Sequence, residues 1–220
     1  MDPTWKHPFT CVVAGPTGCG KTTFVLELVE RAPEMISPPP AKVIWIYDDY
    51  QTAFDELSDR VEFTRDLEVI DSLPKDVPHL VVIDDQMTEN GSDKILGLFT
   101  KGSHHRNLSV VYIVQNLFDK GKHHRSISLN THYLIVFKNP RDSSQIEHLA
   151  RQVFPTQSRL VLKAFRDATA RPFGYMLFDF RQETQDHLRM RTNELPHEEP
   201  HYVYQIMTRE EEKELEKSGV

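Results

Sequence analysis

Cysteine is nearly absent from this chain: among 220 residues only Cys11 and Cys19 carry a thiol. Two cysteines give no disulfide framework, and neither has the CxxC or Cys/His spacing of a structural zinc site. Cys11 sits in an apolar run and Cys19 inside a glycine-rich loop, so a reducing compartment is expected. Long hydrophobic stretches are also missing; nothing approaches the ~18 apolar residues that a membrane span needs. The opening MDPTWKHPF lacks the basic head and apolar stretch of a secretory signal. The expected setting is therefore intracellular, with no secretion and no membrane partner.

Positive charge is in short supply. The formal net charge of −7 argues against a surface coated for nucleic acid. The distribution is uneven, however. Residues 194–220 hold eight Glu against three Lys/Arg, whereas residues 101–125 hold five Lys/Arg and four His against one Asp. A confined basic patch on an acidic protein suits a local phosphate-binding surface. The rest of the composition, 39% apolar and 27% charged, is that of a globular domain large enough to bury a core.

Against these absences, apolar runs alternate with helical segments through the first 150 residues. FTCVVAG, KVIWIYDD, HLVVIDD, SVVYIVQN and HYLIVFKN read as buried strands, and VEFTRD as a shorter one. KTTFVLELVER, SDKILGLFTKG, SSQIEHLARQVF and SRLVLKAFRDA read as helices, and QTAFDEL as a short one. Ser144 and Glu147 stand at capping-box spacing. GYMLFDF and HLRMRTN read as a terminal hairpin. Continuous apolar strands between helices predict an α/β fold with a mostly parallel sheet covered on both faces. Residues 1–193 are expected to form this domain and 194–220 an acidic C-terminal tail.

Glycine is sparse as well, yet Gly15, Gly18 and Gly20 fall within one short loop. Gly15-Pro16-Thr17-Gly18-Cys19-Gly20-Lys21-Thr22 satisfies GxxxxGK[ST] at every fixed position, between a strand and a helix. The glycines let the backbone turn its N–H groups inward as an anion nest, and the helix beginning at Lys21 adds its positive dipole end. Lys21 is expected to reach the β- and γ-phosphates and the Thr22 hydroxyl to ligate Mg2+, with Thr23 one residue beyond the motif. The cofactors expected are ATP and Mg2+.

Such a loop needs a second magnesium partner at the end of a neighbouring strand. LVVIDD supplies Asp84 for the metal and Asp85 to polarise the attacking water. Asp48 and Asp49 end an apolar strand too and are not excluded by spacing alone; they rank lower because capping of QTAFDEL accounts for them. Gln115 leaves the strand SVVYIVQN and would meet the γ-phosphate if that strand adjoined the other two. Trp45 and Tyr47 read as packing residues, with adenine stacking the alternative, and Phe165, Phe173 and Phe178 fit a core.

GPTGCGKTT, VVIDDQ, SVVYIVQN and especially QNLFDKGKHHRSISLNTHYLIVFKNPRD resemble the FtsK/HerA-type viral DNA-packaging ATPases. The likeness is to those of Polinton/Maverick elements and adintoviruses, and more distantly to the poxvirus-like packaging ATPases. It continues through AFRDATARPFGYMLFDF and LRMRTN, covering roughly residues 9–193. The resemblance implies a RecA-like P-loop NTPase that forms a ring, usually a hexamer, and pumps double-stranded DNA without regard to sequence into a capsid. It implies Walker roles for residues 15–22, Asp84 and Asp85, a sensor role for Gln115, and an arginine supplied in trans. Arg106 in KGSHHRNLS is the first candidate for that arginine, with Arg125 and Arg141 in reserve. The loop DKGKHHRS offers Lys120, Lys122, His123, His124 and Arg125 to DNA phosphates. The glutamate-rich tail reads as a solvated face or as a dock for a capsid or portal-vertex protein, which would place the chain in a host nucleus or cytoplasm or in the virion. A P-loop kinase of a nucleotide or small molecule, and a non-catalytic nucleotide-dependent switch, are the alternatives.

Overall fold

The computed structural model describes residues 4–57, 59–84, 89–102, 106–117 and 123–206. In chain order the strands are β1 (Trp5–Lys6), β2 (Thr10–Ala14), β3 (Ile36–Ser37), β4 (Lys42–Tyr47), β5 (Val61–Thr64) and β6 (His79–Asp84). They continue with β7 (Leu108–Val114), β8 (Tyr133–Phe137), β9 (Tyr175–Asp179), β10 (Met190–Thr192) and β11 (Tyr202–Val203). The helices are α1 (Lys21–Glu30), α2 (Ala32–Met35), α3 (Glu89–Gly97), α4 (His124–Leu129), α5 (Ser144–Val153) and α6 (Ser158–Ala168). Among the described residues, β1 and β3 pair with each other, and the rest form one sheet in the order β11-β10-β9-β8-β2-β7-β6-β4-β5.

All five residues of β2 are buried because the strand has neighbours on both edges and helices over both faces. Side chains alternate across a strand, so consecutive residues serve different cores. Cys11 and Val13 pack with Phe24, Val25 and Leu28 of α1, while Val12 and Ala14 join Ile146 and Leu149 of α5 and Phe165 of α6. Trp45 is fully buried against Phe54 and Phe63, so it is a packing residue and has no face open to a base.

The sheet is mixed rather than mostly parallel. β5, β4, β6, β7, β2 and β8 run parallel, but β9 is antiparallel to β8, and β10 and β11 continue antiparallel. The cause lies in the connection. One crossover helix returns a chain to the starting end of the sheet, giving a parallel strand; here both α5 and α6 stand between β8 and β9. The second helix brings the chain back to the end it left. Accordingly Phe137, the last residue of β8, pairs with Tyr175, the first of β9.

Local signals differ from expectation in two further places. Ser144 and Glu147 do not form a capping box: Asp142 accepts from the Ser144 backbone N–H (3.0 Å) and hydroxyl (2.5 Å), and Glu147 turns to Arg151 (3.1 Å). These bonds, with one from Gln145, hold the Asp142 carboxyl below the usual carboxylate range. Residues 194–206, grouped with the acidic tail by composition, pack on the sheet: Glu194 and Leu195 are buried and Tyr202–Val203 forms the edge strand. No helix among the described residues is long and apolar enough to cross a membrane.

Candidate functional site

Register brings the polar strand ends to one edge. Ala14 of β2 lies level with Val114 of β7 and Val136 of β8, and Asp84 of β6 lies level with Ile113 of β7 and Tyr47 of β4. The residues that follow, Gly15 and Gln115, therefore leave the sheet side by side, next to Asp84 and Asp48. β7 stands between the loop strand and the acidic strand, so Gln115 emerges between Gly15 and Asp84. A cleft of about 580 Å³ opens there, lined by Thr17, Gly18, Gly20, Lys21, Thr22 and Thr23 on one side and by Asp84 and Gln115 on the other.

The loop's glycines are required at two positions by space and torsion. A Cβ on Gly15 would come within 2.7 Å of both Cys19 Sγ and Phe137 Cβ, and Gly20 has φ +104°, where L side chains are strained. The Gly15 N–H donates to Val114 O (3.2 Å), fastening the loop to β7. Gly20 is the N-cap of α1, so the helix's free N–H groups face the cleft. Lys21 Nζ donates to Gly15 O (2.7 Å) and Pro16 O (3.0 Å), which holds the ammonium across the loop mouth. Burial raises the Cys19 thiol's pKa despite the nearby Lys21, so Cys19 is a neutral wall of the cradle and no nucleophile. This glycine cradle, lysine, Thr22 hydroxyl and Asp84 carboxylate form a donor set that fits a magnesium-bound triphosphate.

The expected site residues do not all converge. Asp85, Lys120, Lys122 and the side chain of His124 lie outside the described residues. Arg106 precedes β7, at the far edge of the sheet, roughly 23 Å of strand from Gln115 at 3.3 Å per residue. There it is engaged with Asp71 (2.7 Å) and Ile70 O (3.4 Å). Lys94 and then Arg106 hold the Asp71 carboxyl down to about 2. Arg106 therefore does not line its own cleft. Arg141, in the loop leaving β8, is exposed on the P-loop edge, and Arg125 is exposed in the first turn of α4. His123 Nε2 meets Asp93 Oδ1 at 2.5 Å, which pairs that ring with α3.

The cleft also contains Asp48, Asp49, Gln51 and Phe173. The two aspartates, the lower-ranked acids of the sequence, thus line the same cleft as Asp84, and Gln51 Nε2 is 3.5 Å from Asp84 Oδ2. Phe173 is not a core residue: it is 68% exposed and has φ +63°, a region that costs a non-glycine residue about 1–3 kcal/mol. The tripeptide Pro172-Phe173-Gly174 was a turn signal, which places its central side chain outside a core.

A second cavity of about 310 Å³ lies behind the loop, floored by Ala14, Val136, Ile146, Leu162 and Phe165 and rimmed by polar side chains. Gly15 and Gln115 border it as well. Gln145 forms part of its wall, accepting from the Leu117 backbone N–H (2.8 Å) and donating to Asp142 (2.8 Å). The chain beyond β7 is thereby tied to α5.

No protein-family model matches the sequence, and no curated protein matches it significantly. Similar solved structures do exist. The cytoplasmic domain of the Thermomonospora curvata type VII secretion ATPase EccC matches with a TM-score of 0.50 and 16% identity, over 80% of this chain and 24% of that one. The cytoplasmic domain of EssC matches with a TM-score of 0.49 and 15% identity, over 96% of this chain and 42% of that one. The chain thus spans about a quarter of the EccC chain's length. At such identity the likeness concerns the fold alone: this chain shares the α/β fold of a region within an ATPase's cytoplasmic domain.

Proposed function

We propose that this chain is an ATPase whose hydrolysis drives double-stranded DNA, without regard to sequence, through a ring of identical subunits, and that it packages a viral or virus-like genome into a capsid. One observation carries the nucleotide part: the glycine loop, Asp84 and Gln115 line one cleft, with β7 set between the two strands that bear the loop and the acid. In this reading Lys21 and the loop amides neutralise phosphate charge. Thr22 and Asp84 would hold Mg2+, which would supply further neutralisation of phosphate charge. Asp85 accepts the proton of a water that attacks the γ-phosphorus as the bond to the bridging oxygen breaks. Gln115 orients that water, and an arginine from the neighbouring subunit completes the charge balance, a contribution of about 10³-fold or more in rate. The placement of Arg106 away from its own cleft agrees with action in trans.

The motor part is supported by the resemblance of residues 9–193 and by the concentration of Lys and His in residues 101–125. A second reading, a P-loop kinase, is favoured by the 310 Å³ cavity that shares Gln115 with the cleft and resembles an acceptor pocket. The two are separated by measuring ATPase rate against protein concentration, with and without long double-stranded DNA. Cooperative rise with concentration, and stimulation by DNA of any sequence, is the expected result. A constant specific activity indifferent to DNA, with phosphate passed to a small acceptor, would overturn the motor in favour of the kinase.

A further inference from the structure

Phe173 is the unusual residue of the cleft. It presents a large apolar ring to solvent beside a cradle built for charged oxygens. Its backbone sits at φ +63°, where Asn, Asp and Gly are at home and an aromatic residue is not. An arrangement that exposes apolar surface and strains its own backbone gains little for folding, which points to a ligand.

The position is set by the topology. Two helices between β8 and β9 return the chain to the P-loop edge, and Tyr175 pairs with Phe137 there. The turn just before Tyr175 is closed by Gly174 N–H donating to Arg171 O (3.1 Å) and Ala170 N–H to Asp167 O (3.1 Å). A Cβ on Gly174 would lie 2.6 Å from Ala168 O, so the turn admits glycine there. The ring it holds out reaches Gly20: a Cβ built on that residue would lie 3.4 Å from Phe173 Cδ1. Phe173 therefore flanks the start of α1, where Thr22 and Thr23 line the same cleft. The acids Asp84, Asp48 and Asp49 also line it, but a carboxylate offers no apolar face to a base.

Resting on the reading of this cleft as a nucleotide site, we propose that Phe173 is the platform on which the base of the bound nucleoside triphosphate stacks. A phenyl ring offers a π-face and no hydrogen-bond donor or acceptor. It grades bases by the area of their ring systems and leaves their edges unread. Phe173 thus favours purine over pyrimidine triphosphates and contributes little to any choice between adenine and guanine.

The test compares ligands with and without a base on the full-length chain. Equilibrium binding of ATP, CTP and inorganic tripolyphosphate, each with Mg2+, is measured for the native protein and for Phe173→Ala, Phe173→Trp and Phe173→Asn. Base–aromatic stacking predicts that Phe173→Ala weakens ATP by about 5- to 150-fold and narrows the gap between ATP and CTP. Tripolyphosphate affinity should be unchanged, and Phe173→Trp should retain ATP binding. Phe173→Asn, which suits a positive φ, should melt no lower than the native chain while binding ATP as weakly as the Ala variant. Equal losses for ATP and tripolyphosphate would show that the ring only props Gly20 and would overturn the proposal. Unchanged nucleotide affinities with a lost concentration dependence of turnover would overturn it too, assigning the ring to a contact between copies. A native chain that binds ATP but not tripolyphosphate would leave the base as the anchor and count against the phosphate cradle; one that binds neither sinks both.

Discussion

A Lys21→Ala variant should turn over ATP about 10²- to 10³-fold more slowly, the range seen when one preorganised charge donor is removed from a reacting centre. Its affinity for ATP should fall by roughly 10- to 100-fold, the equivalent of about one hydrogen bond to a charged group. The argument starts from the loop itself. Lys21 Nζ already spans the mouth of the cradle, held by Gly15 O and Pro16 O, so little ordering is needed for it to turn toward phosphate oxygens. The fold should survive, because Lys21 is only half-buried and the loop's shape is set by Gly15, Gly20 and the bond to Val114 O. The measurement is paired: steady-state hydrolysis and fluorescent-nucleotide binding, with a thermal melt to confirm folding. Asp85→Asn separates the two functions of the site: nucleotide affinity is expected to hold while hydrolysis is lost. Normal turnover by either variant would remove that residue from its assigned role.

Much of this arrangement was readable in the chain, for identifiable reasons. β2, β4, β6, β7 and β8 announce themselves because strands buried on both faces read as near-continuous apolar runs. The polar residues that end or follow them, among them Asp48, Asp84 and Gln115, mark the edge where function gathers. Strand order was not readable, since spacing says nothing about which neighbour a crossover selects. That β7 divides β2 from β6, bringing Gln115 between Gly15 and Asp84, is knowledge from the fold. The same gap concealed Phe173. Sequence places it about 150 residues from the loop, and only the paired helices α5 and α6 bring it back to Gly20. Asp48 and Asp49 were visible, but a cap and a cleft wall have the same signature at a strand end. Composition was the poorest guide at the C-terminal side. Glu194 counted as one more tail carboxylate although it lies in the interior.

That buried carboxylate carries the largest expected effect on stability. Arg191 of β10 donates from Nε to Glu194 Oε1 (3.0 Å), from Nη2 to Oε2 (3.3 Å), and from Nη1 to Asp179 Oδ2 (3.4 Å) and Leu188 O (3.1 Å). The Arg191 side chain is 6% exposed and those of Glu194 and Asp179 are 0% exposed. Arg191→Met should cost about 3–5 kcal/mol, because removing one member of a buried pair leaves a charge without compensation. For a domain of this size the melting temperature should drop by roughly 6–20 °C. Asp179 keeps Arg181, with contacts of 3.0 and 3.1 Å, so the uncompensated group is Glu194. Its carboxyl pKa is already raised by burial, against the opposing pull of Arg191, and loss of the guanidinium raises it further. A raised carboxyl pKa means that the folded state holds a proton the unfolded state has released. Stability must then fall as pH rises through the window between the unfolded and folded values. The variant should accordingly recover part of its loss on acidification, more than the native chain gains over the same interval. Arg191→Met combined with Glu194→Leu should restore most of the missing stability, since a matched apolar pair replaces a stranded charge. Denaturant titrations of the single and double variants at two pH values measure this directly. A pH-independent loss that the second substitution does not rescue would mean that Arg191 acts through the packing of its stem rather than through its charge.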